Sequence, residues 1–152
     1  MSLEARIPPP LVLLTFGAIM WFTTRTMQPF IFPPPWRVVL ILVPFVLGVL
    51  FAAPAIRAFV RAKTTINPVD ITAASMLVKD GVFGVTRNPM YLGLSLVLLA
   101  WALYLARPLA LLGPILFALY ITRFQIIPEE RALRVKFGSD FEDYARRVRR
   151  WI

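Results

Sequence analysis

Cysteine and histidine are both missing from this chain. Without thiols there is no disulfide framework and no thiolate metal site, and without imidazole no side chain titrates near neutrality unperturbed. No metal is expected. Acids are scarce too: eight Asp and Glu stand against seventeen Lys and Arg, for a net charge of +9. Any chemistry therefore falls to carboxylates, guanidiniums, amines, phenols, backbone groups or a bound cofactor. The largest deficit is of polar surface. Apolar residues make up 59% of the 152, and mean hydropathy is +0.71. A small globular domain must cover itself with polar groups and cannot bury that excess. The expectation is an all-α integral membrane protein, one domain over residues 1–152. Its positive charge then reports topology rather than nucleic acid.

Four apolar segments stand out, at 10–28, 36–60, 90–106 and 108–127. Each is near the ~20 residues that a helix needs to cross the hydrocarbon. The first is followed by no small-residue cleavage site, so it reads as a retained helix. Only Arg107-Pro108 separates the last two, which forces a tight hairpin, with Pro108 suited to the first helical position. Pro44, Pro54 and Pro114 fall inside spans and are expected to kink them. With four crossings and an inner N-terminus, all basic residues except Arg25, Arg37 and Arg107 face one side. That bias puts both termini in the cytoplasm of a bacterial-type inner membrane.

Two cytoplasmic pieces remain. Residues 62–87 read as a structured loop with a short helix near 70–78. Residues 128–152 read as two amphipathic helices, with Pro128 at a first helical position and Glu129 and Glu130 in the first turn. Gly138 is the stop between them, and Ser139 with Glu142 has the spacing of a capping box. Leu133, Phe137, Phe141, Tyr144, Val148 and Trp151 share a helical face; Arg134, Lys136, Arg146, Arg147, Arg149 and Arg150 lie opposite. Such a tail suits an anionic leaflet or a cover over the helix mouths.

The polar groups at those mouths carry the functional signal, because they are costly to hold there. Arg87-Asn88-Pro89-Met90-Tyr91 reads two ways. It is a helix entry, with Asn88 as cap and Pro89 in the first turn, and it is also an anion site with free N–H groups beside an arginine. Glu129-Glu130 reads either as dipole partners of a helix start or as a clamp for a cationic ligand. Gly81-Val82-Phe83-Gly84 lacks the strand and the spacing of a dinucleotide fingerprint; it reads as a turn, or as a loop that approaches a ligand closely. Arg123, about a turn inside the last span, either snorkels to the headgroups or holds a substrate anion.

The order of these pieces is more specific than any one of them. Thr64-Thr65-Ile66-Asn67-Pro68, Leu77-Val78 with Gly81, the Arg87–Tyr91 run, the hairpin, Glu129-Glu130, Phe137-Gly138, Tyr144 and Val148-Arg149-Arg150-Trp151 follow one layout. Over residues 62–152 it resembles the bacterial membrane methyltransferases related to isoprenylcysteine carboxyl methyltransferase and the phospholipid methyltransferases.

The resemblance implies S-adenosylmethionine as cofactor, bound at the cytoplasmic side. Gly81, Val82, Phe83, Arg87, Asn88, Pro89 and Tyr91 would line its pocket, Glu129 and Glu130 would hold its cationic or hydroxyl groups, and Tyr144, Arg149 and Arg150 would cap it. Glu130 and Arg123 are the expected catalytic residues. One departure is Asn88, where many members carry histidine in an Arg-His-Pro run. Asparagine cannot become cationic or act as a base. An already ionised carboxylate or a thiol is therefore favoured as acceptor over a lipid amine, which must first lose a proton. The implied partners are a small lipophilic or lipid substrate and the surrounding membrane lipids. Two other classes stay open: an NADPH-dependent membrane oxidoreductase like the sterol reductases, and a non-catalytic membrane subunit with the same fold.

Overall fold

The computed structural model describes residues 7–31, 33–61 and 76–152. Among these every regular element is helical, as the long apolar runs predict, and there is no strand. The elements are α1 (Pro9–Thr24), α2 (Pro34–Arg61), a 3₁₀ turn (Gly81–Gly84), α3 (Pro89–Leu105), a second 3₁₀ turn (Pro108–Leu111), α4 (Leu112–Ile121), a π-helical turn (Thr122–Ile126), α5 (Ile127–Phe137) and α6 (Ser139–Arg147).

Among the described residues two helices are long and apolar enough to cross a membrane: α2, and the continuous rod Pro108–Phe137. Helices α1 and α3 are apolar but shorter, at 16 and 17 residues. A soluble protein would bury such surface. Here only 17% of the most apolar window of α2 is buried. Leu42, Val46 and Leu50 of α2, with Ile115 and Leu119 of α4, are among the many apolar side chains left outside. Surface of that extent needs an apolar solvent. The chain is membrane-associated.

Helix α3 is the centre of the assembly, packing on α2, α4 and α1. Its closest approach is to α2, where a Cβ placed on Gly93 would lie 2.6 Å from the Gly48 carbonyl oxygen and 2.8 Å from Ala52 Cβ. Gly48 and Ala52, four apart on α2, form the small-residue seam that lets two membrane helices touch backbone to backbone. On its other side α3 lays Leu98, Ala102 and Leu105 against Val12, Met20, Phe117 and Ile121. Phe16 meets Phe117 edge to face at 5.7 Å between centroids, and Trp101 Nε1 donates to the Gly17 carbonyl at 3.1 Å.

The hairpin is as tight as expected. Ala106 ends α3 with a left-handed φ of 53°, and Arg107 reaches back to the carbonyls of Met27 and Arg25 at 3.0 and 3.2 Å. Pro108 opens a 3₁₀ turn instead of the α-helix itself, and Pro114 lies in the first turn of α4. Pro44 and Pro54 sit within an α2 that remains one helix.

Three expectations for the tail are corrected. Pro128 does not start a separate helix, because α4 runs through the π turn into α5 without leaving helical backbone. Ser139 and Glu142 form no capping box; Gly138 (φ 49°) does end α5, while Glu142 pairs with Arg134. The last helix stops at Arg147, and Val148 is extended, so Val148 and Trp151 do not continue the apolar helical face. The loop motif 64–68 and residues 70–75 of the short helix expected near 70–78 lie outside the described residues; Met76–Val78 are not helical.

Candidate active site at the helix mouths

The extended end of the chain lies across the entry to α3. The Arg87 N–H donates to the Arg149 carbonyl at 3.0 Å, and the Thr86 hydroxyl to the Arg150 carbonyl at 3.2 Å. Asn88 Nδ2 donates to that same Arg150 oxygen at 2.9 Å. Asn88 is therefore not the side-chain cap of α3 that its position predicts; its amide is spent on the tail. Trp151 Nε1 closes the strap by donating to Thr122 Oγ1 at 3.2 Å.

Beneath the strap is an ion cluster. Arg150 holds Glu130 through two bonds, Nε to Oε1 at 3.0 Å and an amino group to Oε2 at 2.7 Å. Arg87 approaches the same carboxylate at 3.1 Å from α3's side. Glu130 is 7% exposed, so its charge needs those two partners. The bidentate geometry is the strong form of such a pair, and the hydrogen bond to Glu130 holds the Arg150 pKa above its ordinary value. Arg150 thus faces inward, not onto the solvent side of a helix as its spacing predicts. Arg87 also donates to the Ala145 carbonyl at 3.5 Å, while its Nε is buried without a hydrogen-bond partner.

Two phenols extend the cluster. Tyr91, in the first turn of α3, donates to Glu129, the neighbour of Glu130. Tyr144 of α6 donates to the Phe83 carbonyl at 2.8 Å, and burial pushes its hydroxyl up to about 12 despite the opposing pull of Arg87. Phe83 is itself buried and stands edge-on to Phe59 of α2 at 5.4 Å.

Of the residues expected at a cofactor pocket, Phe83, Arg87, Asn88, Pro89, Tyr91, Glu129, Glu130 and Tyr144 are gathered around this entry. Gly81 and Val82 turn to a different place. They line a recess of about 360 Å³ on the flank of α2, with Asp80, Pro54, Arg57, Ala58 and Arg61. Gly81 has φ +62° there, which glycine adopts without strain. Arg123 is exposed on the π turn, its guanidinium 5.4 Å from the Phe124 ring centroid.

Sequence reasoning missed one member of the cluster and one further buried polar residue. Thr86 is fully buried and bonded on both sides, accepting from the Asn88 N–H at 3.2 Å; its place directly before the Arg87–Tyr91 run was the available signal. Gln125 is fully buried in the π turn, donates to the Ile7 carbonyl at 2.8 Å, and leaves its Oε1 without a partner. A lone amide in an apolar span was the available signal, and π turns recur at functional sites.

Comparison with known proteins bears on the family of the chain. A curated, uncharacterised protein of Haemophilus influenzae is 52% identical over 63 residues, which are 41% of this chain and 100% of that protein. No solved structure matches. The family model described as phospholipid methyltransferase matches residues 36–140, from the start of α2 to the start of α6. The chain belongs to the phospholipid methyltransferase family, and is a membrane methyltransferase at that general level.

Proposed function

We propose that the protein is an integral membrane methyltransferase that uses S-adenosylmethionine and acts on a small lipophilic acceptor at the cytoplasmic face, with four crossings and both termini inside. The observation that carries this reading is the pairing of opposite charges under the strap: Arg87 and Arg150 around Glu130, with Tyr91 on Glu129 beside them. An amino-acid moiety bears a carboxylate and an ammonium, and this cluster offers partners for both. The buried, unpartnered Nε of Arg87 is a donor awaiting an acceptor, which supports an anionic group there.

When bound, the cofactor supplies a methyl group on a sulfonium, which an acceptor lone pair takes while the sulfur departs as a neutral thioether. Arg87 and Arg150 would take the carboxylate of the cofactor's amino-acid part, and Glu129 its ammonium or ribose hydroxyls. Glu130, already committed to two guanidiniums, holds them in place. The strap and α6 cover the entry and exclude water. The acceptor would arrive sideways from the bilayer, its reactive end toward Arg123.

The chain offers no histidine to remove a proton. A carboxylate acceptor is ionised at neutral pH and needs none removed, and a thiol beside arginines is acidified. An isoprenoid-type carboxylate or thiol is favoured on that ground, and a lipid amine would need Glu129 as base. A dinucleotide-dependent reductase is not favoured by the family match. The test is transfer of tritiated methyl from S-adenosylmethionine to three lipophilic acceptors that differ only in a carboxylate, thiol or amine head. Label in the carboxylate or thiol product is expected; label in none of the three would refute the reading.

A further inference from the structure

The flank of α2 carries a feature that methyl transfer does not use. Leu47, Leu50, Pro54, Arg57 and Arg61 recur at three- and four-residue intervals and all are exposed, so they form one outward stripe. Its apolar part, with Leu50 58% exposed, gives way to two guanidiniums one turn apart. From Leu47 to Arg61 the stripe rises about 21 Å, close to the depth of one leaflet with its headgroups, roughly 20–22 Å. At its charged end lies the recess of about 360 Å³, walled by Pro54, Arg57, Ala58 and Arg61 on one side and Asp80, Gly81 and Val82 on the other. Among the described residues neither Arg57 nor Arg61 has an ion-pair partner.

We propose that this recess is a binding site for an anionic phospholipid with a hydroxylated headgroup. Arg57 and Arg61 hold the phosphate, Asp80 accepts from a headgroup hydroxyl, and the acyl chains run along Leu50 and Leu47. Two guanidiniums against one carboxylate leave the recess net positive, which selects an anionic lipid over a zwitterionic one. An aqueous anion would use the arginines but not the apolar stripe. The far wall of the recess is the 3₁₀ turn whose Phe83 carbonyl receives Tyr144, so an occupied recess steadies the turn on which α6 docks.

The test titrates the detergent-purified protein with dioctanoyl phosphatidylglycerol, dioctanoyl phosphatidylcholine or inorganic phosphate, following bound ligand by native mass spectrometry. Saturable binding of phosphatidylglycerol is expected, weakened roughly tenfold or more by Arg57→Gln with Arg61→Gln. The same change at Arg25 and Arg37, two exposed arginines at the opposite end of the helices, is expected to leave it within a factor of two. If the double variant does not purify, Arg57→Gln and Arg61→Gln singly are each expected to weaken binding severalfold. Equal binding of phosphatidylcholine, equal binding of free phosphate, or undiminished binding in the arginine variants would overturn the proposal. The site does not depend on methyl transfer, so its failure leaves that reading intact.

Discussion

At the scale of single residues, the site is governed by what each buried polar group has for a partner. Glu130 has two cations, Thr86 bonds on both sides, and Tyr144 gives its proton to the Phe83 carbonyl. The last of these has a pH signature. Tyr144 titrates from about 12 in the folded state against an ordinary 10.0, because burial disfavours the phenolate. A raised folded pKa gives stability that is complete below pH 10 and lost as pH rises towards 12. Alkaline denaturation should therefore steepen across that window, and Tyr144→Phe should flatten it; an unchanged profile in the variant would assign the loss elsewhere. A second residue effect concerns strain. Ala106 sits at φ 53°, where a Cβ costs free energy and glycine does not. Ala106→Gly should raise thermal stability by about 1 kcal/mol, which a detergent melting curve would read directly.

At the scale of elements, α2 and α3 meet through Gly48, Ala52 and Gly93. Gly93→Ala should cost about 2–3 kcal/mol, because its new methyl meets the α2 backbone oxygen and a neighbouring Cβ, neither of which can turn aside. Gly17→Ala is the contrast: its methyl finds nothing nearer than 3.9 Å, so helix propensity should make it neutral or stabilising by up to about 1 kcal/mol. If both variants lose stability alike, the close crossing is not where these contacts put it. The helices themselves were legible, since apolar runs and Pro-marked starts lie within a few residues of α1, α2 and α3. The continuity of α4 into α5 was not. Pro128 reads locally as a start, but it is equally at home where the π turn has already freed the preceding carbonyl. The seam of Gly48 and Ala52 against Gly93 was not legible, because which small residues of two apolar runs face each other is a tertiary fact.

At the scale of the whole molecule, the chain's last residues complete a site begun sixty residues earlier. The Arg87–Tyr91 run and Glu129-Glu130 were readable as a pair of polar clusters at helix mouths. Their geometry was not, because it depends on Arg150 reaching inward. That reach requires α6 to stop at Arg147 and the backbone to extend, whereas helical periodicity places Arg150 on the outside. Removing Val148–Ile152 should therefore do more than trim a tail. It takes two acceptors from Thr86, Arg87 and Asn88 and one cation from Glu130. Loss of at least tenfold in cofactor-analogue affinity is expected, with the helical content intact by circular dichroism; a full-affinity truncation would show the strap to be dispensable.

The central claim is that the ion cluster beneath the strap holds S-adenosylmethionine. Calorimetric titration of the detergent-purified protein with S-adenosylhomocysteine, beside NADPH, tests it most directly. Saturable binding of S-adenosylhomocysteine alone, reduced at least tenfold by Glu130→Gln, is the predicted result. Binding of NADPH instead, or S-adenosylhomocysteine affinity unchanged by that substitution, would contradict it.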